Sequence, residues 1–84
     1  MYLEVLAPGK TVFSGDIKLI KVTGSGGSFE VMKNHAPIIS TLDAGEIRVV
    51  IDEDKIKSFN IDSGVIQVVA NKIIVLAESI TEVS

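Results

Sequence analysis

Apolar residues recur at every second position over short stretches of this chain, and each stretch is closed by turn chemistry. Leu3, Val5 and Ala7 alternate with Tyr2, Glu4 and Leu6; Ile47, Val49 and Ile51 alternate with Glu46, Arg48 and Val50. A period of two belongs to a strand whose successive side chains point to opposite faces, one of them buried. Turn signals at Pro8-Gly9, Ser14-Gly15, Gly24 to Gly27, Asn34, Asp43 to Gly45, Asp52 to Asp54, Ser63-Gly64 and Ala70-Asn71 punctuate the sequence about every 8–12 residues. The pattern predicts strands at Tyr2–Ala7, Asp16–Thr23, Ser28–Met32, Ile38–Leu42, Glu46–Ile51, Lys55–Ile61, Val65–Val69 and Lys72–Ala77, with a small one at Thr11–Phe13. The fold class is therefore all-β, a small sandwich or barrel of short strands.

Three segments depart from plain alternation. Asp16–Thr23 changes phase at Leu19-Ile20, which predicts a bulge or a strand that leaves one sheet for the other. Ile73–Ala77 has no polar side, so it is expected to be central and covered on both faces, or covered on one face by another protein. Glu78–Ser84 is too short to hold a helix by itself in water.

Composition sharpens this picture. Val and Ile supply 23 of the 84 residues against 10 Leu plus Ala, and β-branched side chains favour a pleated, half-buried surface. An apolar fraction of 46% excludes disorder, and the length fits one domain over 1–84 that buries roughly 60–65% of its unfolded surface. The 8 Lys and Arg are dispersed and outnumbered by 11 Asp and Glu, which leaves no footprint for nucleic acid. Without cysteine there is neither a disulfide nor a thiolate metal site. The longest apolar run is five residues, against about 20 for a membrane helix, and Glu4 and Pro8 interrupt any signal-peptide core, so a cytoplasmic location is expected.

Candidate chemistry is sparse. His35 is the single histidine, and no second histidine or carboxylate cluster stands at ligand spacing beside it; no Gly-x-Ser-x-Gly elbow supports a nucleophilic pair with Ser40. A structural turn or a partner contact suits His35 better than catalysis. Gly24 to Ser28 lacks the Gly-Lys-Ser/Thr ending of a phosphate loop and leads into a strand, so it reads as a hairpin tip, which is also a natural docking element. Asp52-Glu53-Asp54-Lys55 admits a second reading, a lipoyl-type carrier modified on Lys55. Against it, the two halves of the chain are dissimilar and Ile56 follows Lys55 where a small residue is preferred.

Taken in order, several segments resemble the N-terminal β-sandwich domain of the epsilon subunit of the F-type ATP synthase, called delta in mitochondria. They are Leu3-Glu4-Val5-Leu6-Ala7-Pro8, Phe13-Ser14-Gly15, Val22-Thr23-Gly24-Ser25-x-Gly27, Asn34-His35-Ala36-Pro37-Ile38-Ile39 and Leu42-x-x-Gly45-x-Ile47-Arg48, then Phe59-x-Ile61-x-Ser63-Gly64-x-Ile66-x-Val68 and Asn71-x-Ile73-x-Val75-Leu76-Ala77-Glu78. The match spans nearly the whole chain in one register. The resemblance implies a small β-sandwich of about ten short strands, a non-catalytic, cofactor-free rotor subunit on the cytoplasmic face of the bacterial membrane. Such a subunit clasps gamma, rests on the polar loops of the c ring, and couples proton flow to ATP synthesis. Carried over, Gly26, Gly27, Ser28, Glu30, Asn34 and His35 are expected to face the c ring, and Ala7, Ser40 and Leu42 to face gamma. Relatives often carry an acid at the position of Ser28; Glu30, two residues on and on the same strand face, is expected to take over that ionic contact. The C-terminal helices with which many relatives restrain hydrolysis and bind ATP have no counterpart in these 84 residues, so neither inhibition of that form nor nucleotide binding is expected.

Overall fold

The computed structural model describes residues 1–34 and 36–83. Ten strands run in chain order: β1 Tyr2–Ala7, β2 Lys10–Asp16, β3 Leu19–Gly24, β4 Gly27–Met32, β5 Ile38–Leu42, β6 Gly45–Asp52, β7 Lys55–Ile61, β8 Gly64–Val69, β9 Lys72–Ala77 and β10 Ile80–Val83. Pairing follows one path, β10-β7-β6-β3-β5-β8-β9-β1-β2, with β4 added to β3. The path curls into two layers, β2-β1-β9-β8-β5 and β4-β3-β6-β7-β10. A single paired position, Gly24 with Leu42, joins them through β3 and β5. β1 runs parallel to β9, while the remaining pairings are antiparallel.

The core lies between the layers and takes its residues from the alternating positions. Leu3, Val5, Ile73, Val75, Ile66 and Val68 from one layer meet Ile20, Val22, Val31, Ile47, Val49 and Phe59 from the other. All twelve are at most 2% exposed, and among the described residues no polar or charged side chain is buried with them. Burying each such side chain contributes roughly 1.5–3 kcal/mol, which is how an 84-residue chain offsets its conformational entropy without cross-links.

Turns follow local chemistry. Ala7 pairs with Lys10, so Pro8 and Gly9 form a two-residue loop in which Gly9 takes φ 76°; proline followed by a left-handed glycine is the signature of a type II turn. Asp52 pairs with Lys55, and the Asp52 carboxylate accepts the Asp54 amide at 2.9 Å, an Asx-type contact that shapes the loop.

Four expectations change. The stretch expected as one strand, Asp16–Thr23, is divided. β2 extends from Lys10 through the Ser14-Gly15 pair, a turn signal in the sequence, to Asp16; the chain then changes layer at Ile17-Lys18 and β3 begins at Leu19. Ile17 is buried at this corner and its amide donates to Met1 O at 2.8 Å, which fixes the crossing two residues before the phase change. The tail forms a tenth strand, β10, on the edge of β7, since pairing supplies the order that four residues lack alone. Finally, β9 is central within its layer but not covered on both faces: Ile73, Val75 and Ala77 are buried, Ile74 is half-buried and Leu76 is 51% exposed.

Candidate interaction surface

The outer face of the β5-β8-β9-β1 layer is built by register. Leu6 pairs with Leu76, Leu76 with Val65 and Val65 with Thr41, so these four side chains form one row across four strands. The next row is Glu4, Ile74, Gln67 and Ile39. Ile39 is 74% exposed and Val69, further along β8, is 52% exposed. Exposed apolar side chains thus stand among Thr41, Glu4 and Gln67 on this face, and an apolar patch rimmed by polar residues has the composition of an interaction surface. Glu4 and Lys72 bound the patch with an ion pair of 3.4 Å.

At the end of the layer where β1, β5 and β9 finish and β8 begins, the apolar face opens into a groove of about 580 Å³. Leu6, Ala7 and Pro8 form one side, Val65 and Leu76 another, and Ser25, Thr41 and Asp43 a polar rim. Leu42 lies in its floor while also belonging to the core at 2% exposure. Gly64 allows the walls to meet, because a Cβ there would stand 2.5 Å from Leu76 O.

The structure brings Ala7 and Leu42 together in this groove. Ser40 lies two residues from Leu42 on the inner side of β5, half-buried, with its hydroxyl donating to Thr41 O at 3.1 Å, and it does not line the groove. Gly26, Gly27 and Ser28 are exposed at and beside the β3–β4 hairpin tip, adjoining the groove through Ser25. Glu30 shares the outward face of β4 with Ser28, opposite Lys21, and forms no ion pair among the described residues. Asn34, with φ 70°, sits in the turn at the other end of β4, roughly 16 Å from the tip at 3.3 Å per residue. Those residues therefore form a band along the β4 edge rather than a single point. His35 lies outside the described residues. Lys55 begins β7 instead of crowning its hairpin, whose tip is Glu53-Asp54.

Among the described residues no group of three His, Cys, Asp or Glu could hold a metal ion. No helix of the described residues is long and apolar enough to cross a membrane. The rows of apolar side chains, the groove and the open β4 edge define a β-sandwich whose surfaces are suited to protein contacts.

Residues 1–83 match the model of the ATP synthase delta/epsilon chain β-sandwich domain, and the chain belongs to that family. It is 34% identical over 79 residues to the ATP synthase epsilon chain of Chlorobium limicola, covering 94% of this chain and 90% of that one. The epsilon chain of Caulobacter vibrioides is 33% identical over 82 residues, 98% of this chain and 94% of its own length. A longer relative, the epsilon chain of a Sulfurihydrogenibium species, is 30% identical, and this chain spans 60% of it. Two solved structures share the fold. One is a chain of the Tetrahymena thermophila mitochondrial ATP synthase central stalk and c ring, with a TM-score of 0.83 and 13% identity over 95% of this chain and 64% of that chain. The other is from the Euglena gracilis mitochondrial ATP synthase, with a TM-score of 0.89 and 15% identity over 95% and 51%. The epsilon-type sandwich expected from the sequence is thus shown.

The residues that sequence reasoning missed are Leu6, Val65, Leu76, Ile39 and Ile74. Their signal was partly present, since Ile73–Ala77 carried no polar side and one reading gave that face to another protein.

Proposed function

We propose that this chain is a non-catalytic epsilon subunit of the central stalk of a proton-translocating ATP synthase, seated at the cytoplasmic face of the membrane without crossing it. The groove and the apolar rows beside it receive gamma, with Ala7 and Leu42 at the contact. The β4 edge, from Gly26, Gly27 and Ser28 through Glu30 to Asn34, faces the polar loops of the c ring, and His35, next in the sequence, is assigned to the same contact. The two contacts make the subunit part of the rotor, so that torque from proton flow reaches the catalytic head. No nucleotide or other cofactor enters this role.

One observation carries the reading: an exposed apolar sheet face continuous with a groove that holds two residues expected at gamma. A protein interface combines an apolar centre with a polar rim, and Leu76 and Ile74 with Glu4, Gln67 and Thr41 around them have that composition. The test is co-expression of the chain with gamma from the same organism. Stable co-purification is expected; a chain that folds yet never retains gamma would defeat the proposal.

A further inference from the structure

The β3–β4 hairpin tip is stitched to the β5–β6 corner. Ser25 N donates to Thr41 O at 3.2 Å and Asp43 N donates to Thr23 O at 2.9 Å, on either side of the Gly24–Leu42 pairing. The Thr23 hydroxyl donates to Asp43 O at 2.9 Å. Ser25 Oγ lies 2.7 Å from Thr41 Oγ1 and 3.3 Å from both Thr41 O and Asp43 Oδ1. A serine hydroxyl has one proton and a carboxylate only accepts. When the Ser25 proton turns to the Asp43 carboxylate or the Thr41 carbonyl, the Thr41 hydroxyl is therefore the donor to Ser25 Oγ, and the three residues join in one chain of bonds.

Ser25, Thr41 and Asp43 also line the groove. Gly26 and Gly27, next along the chain, are the exposed tip, with open space around the Cβ position of each. Glycines there give the tip wide backbone freedom unless a neighbour restrains it. Ser25 is thus the point where a wall of the groove and the root of the tip coincide.

We propose that Ser25, Thr41 and Asp43 form a clasp that couples the groove to the hairpin tip. A partner filling the groove holds the clasp closed and stiffens the tip; a partner gripping the tip favours the closed groove to the same degree, as linkage requires. This rests on the reading of the groove as the seat of gamma and of the tip as facing the ring, and it adds that each contact strengthens the other. Ser25 acts as a positioning residue.

Amide hydrogen exchange of the full chain, read by NMR with and without gamma, tests this. In the free chain Ser25→Ala is expected to speed exchange at residue 25 and, across the corner, at Asp43 by about three- to tenfold, as loss of one exposed hydrogen-bond set allows. Exchange at Phe59 and Val75 stays unchanged, and Ser25→Thr, which keeps a hydroxyl, restores the slow rates. Gamma is expected to slow exchange at Gly26 and Gly27 in the wild-type chain and to do so less in Ser25→Ala. A response confined to the tip with Asp43 unaltered, or a bound gamma that leaves tip exchange as it was, overturns the coupling. If the wild-type chain does not bind gamma, the proposed function fails, while the free-chain pattern at residues 25 and 43 still decides the clasp.

Discussion

Ala70 holds φ 55° in the two-residue loop between β8 and β9, a left-handed conformation in which its Cβ crowds the following carbonyl. Ala70→Gly removes that crowding, about 1–2 kcal/mol, and returns about 0.4–1 kcal/mol to the unfolded chain. A net gain of about 0.5–1 kcal/mol is expected, seen as a melting temperature several degrees higher. Gly64 has the opposite character. A Cβ there meets backbone rather than a movable side chain, so Gly64→Ala must push β8 from β9 at the groove; a loss of about 1–3 kcal/mol in urea titration is expected. Phe59 is the largest fully buried side chain, and Phe59→Ala is expected to cost about 3–5 kcal/mol, a large share of the stability of so small a domain. Equal melting of wild type and Phe59→Ala would contradict the core assignment.

Among elements, the alternating strands were legible because one face is buried and the other wet: β6 reads half-buried, exposed, buried, exposed, buried from Gly45 to Val49, as its sequence does. β10 was not legible, because Ile80-Thr81-Glu82-Val83 is only four residues long, with no alternation to read, and becomes a strand only by pairing with β7, beside an exposed Lys57–Glu82 contact of 3.5 Å that adds at most about 1 kcal/mol. Nor could composition reveal that the tip of the β3–β4 hairpin and the end of β1 share a groove, since that depends on the long-range pairing of Gly24 with Leu42. Within β4 the proposed ionic contact belongs to Glu30, exposed and without an ion pair among the described residues. Glu30→Gln is expected to weaken docking to the ring by about 0.2–1 kcal/mol and to make what remains less sensitive to salt, whereas Ser28→Ala changes little. Assembly assays on reconstituted rotors at two salt concentrations separate the outcomes; damage from Ser28→Ala alone would remove Glu30 from this role.

At the scale of the molecule the question is which face is covered. Leu76 stands at the centre of the apolar row, between Leu6 and Val65, and half of it is already in water, so Leu76→Lys should leave folding nearly intact. The same substitution places a charge in the middle of the face assigned to gamma, where desolvation makes it costly. Retained circular dichroism and melting with loss of gamma co-purification is the expected pair of results. A variant that still binds gamma as wild type does would move the interface elsewhere.

The parallel pairing of β1 with β9 joins Tyr2 to Lys72 and Leu6 to Leu76, residues seventy positions apart. During synthesis the first strand emerges long before its neighbour exists. Until β9 is made, β1 has only β2 beside it and exposes Leu3 and Val5, which in the finished molecule are sealed inside. Loop-closure entropy must be overcome before this contact yields anything, which places folding in the slow range of about milliseconds to seconds typical of topologies rich in distant pairings. Neither layer is whole until the C-terminal strands exist, since β9 closes one onto β1 and β10 adds the edge of the other, so a nascent chain has no finished sheet face to offer until those strands have left the ribosome.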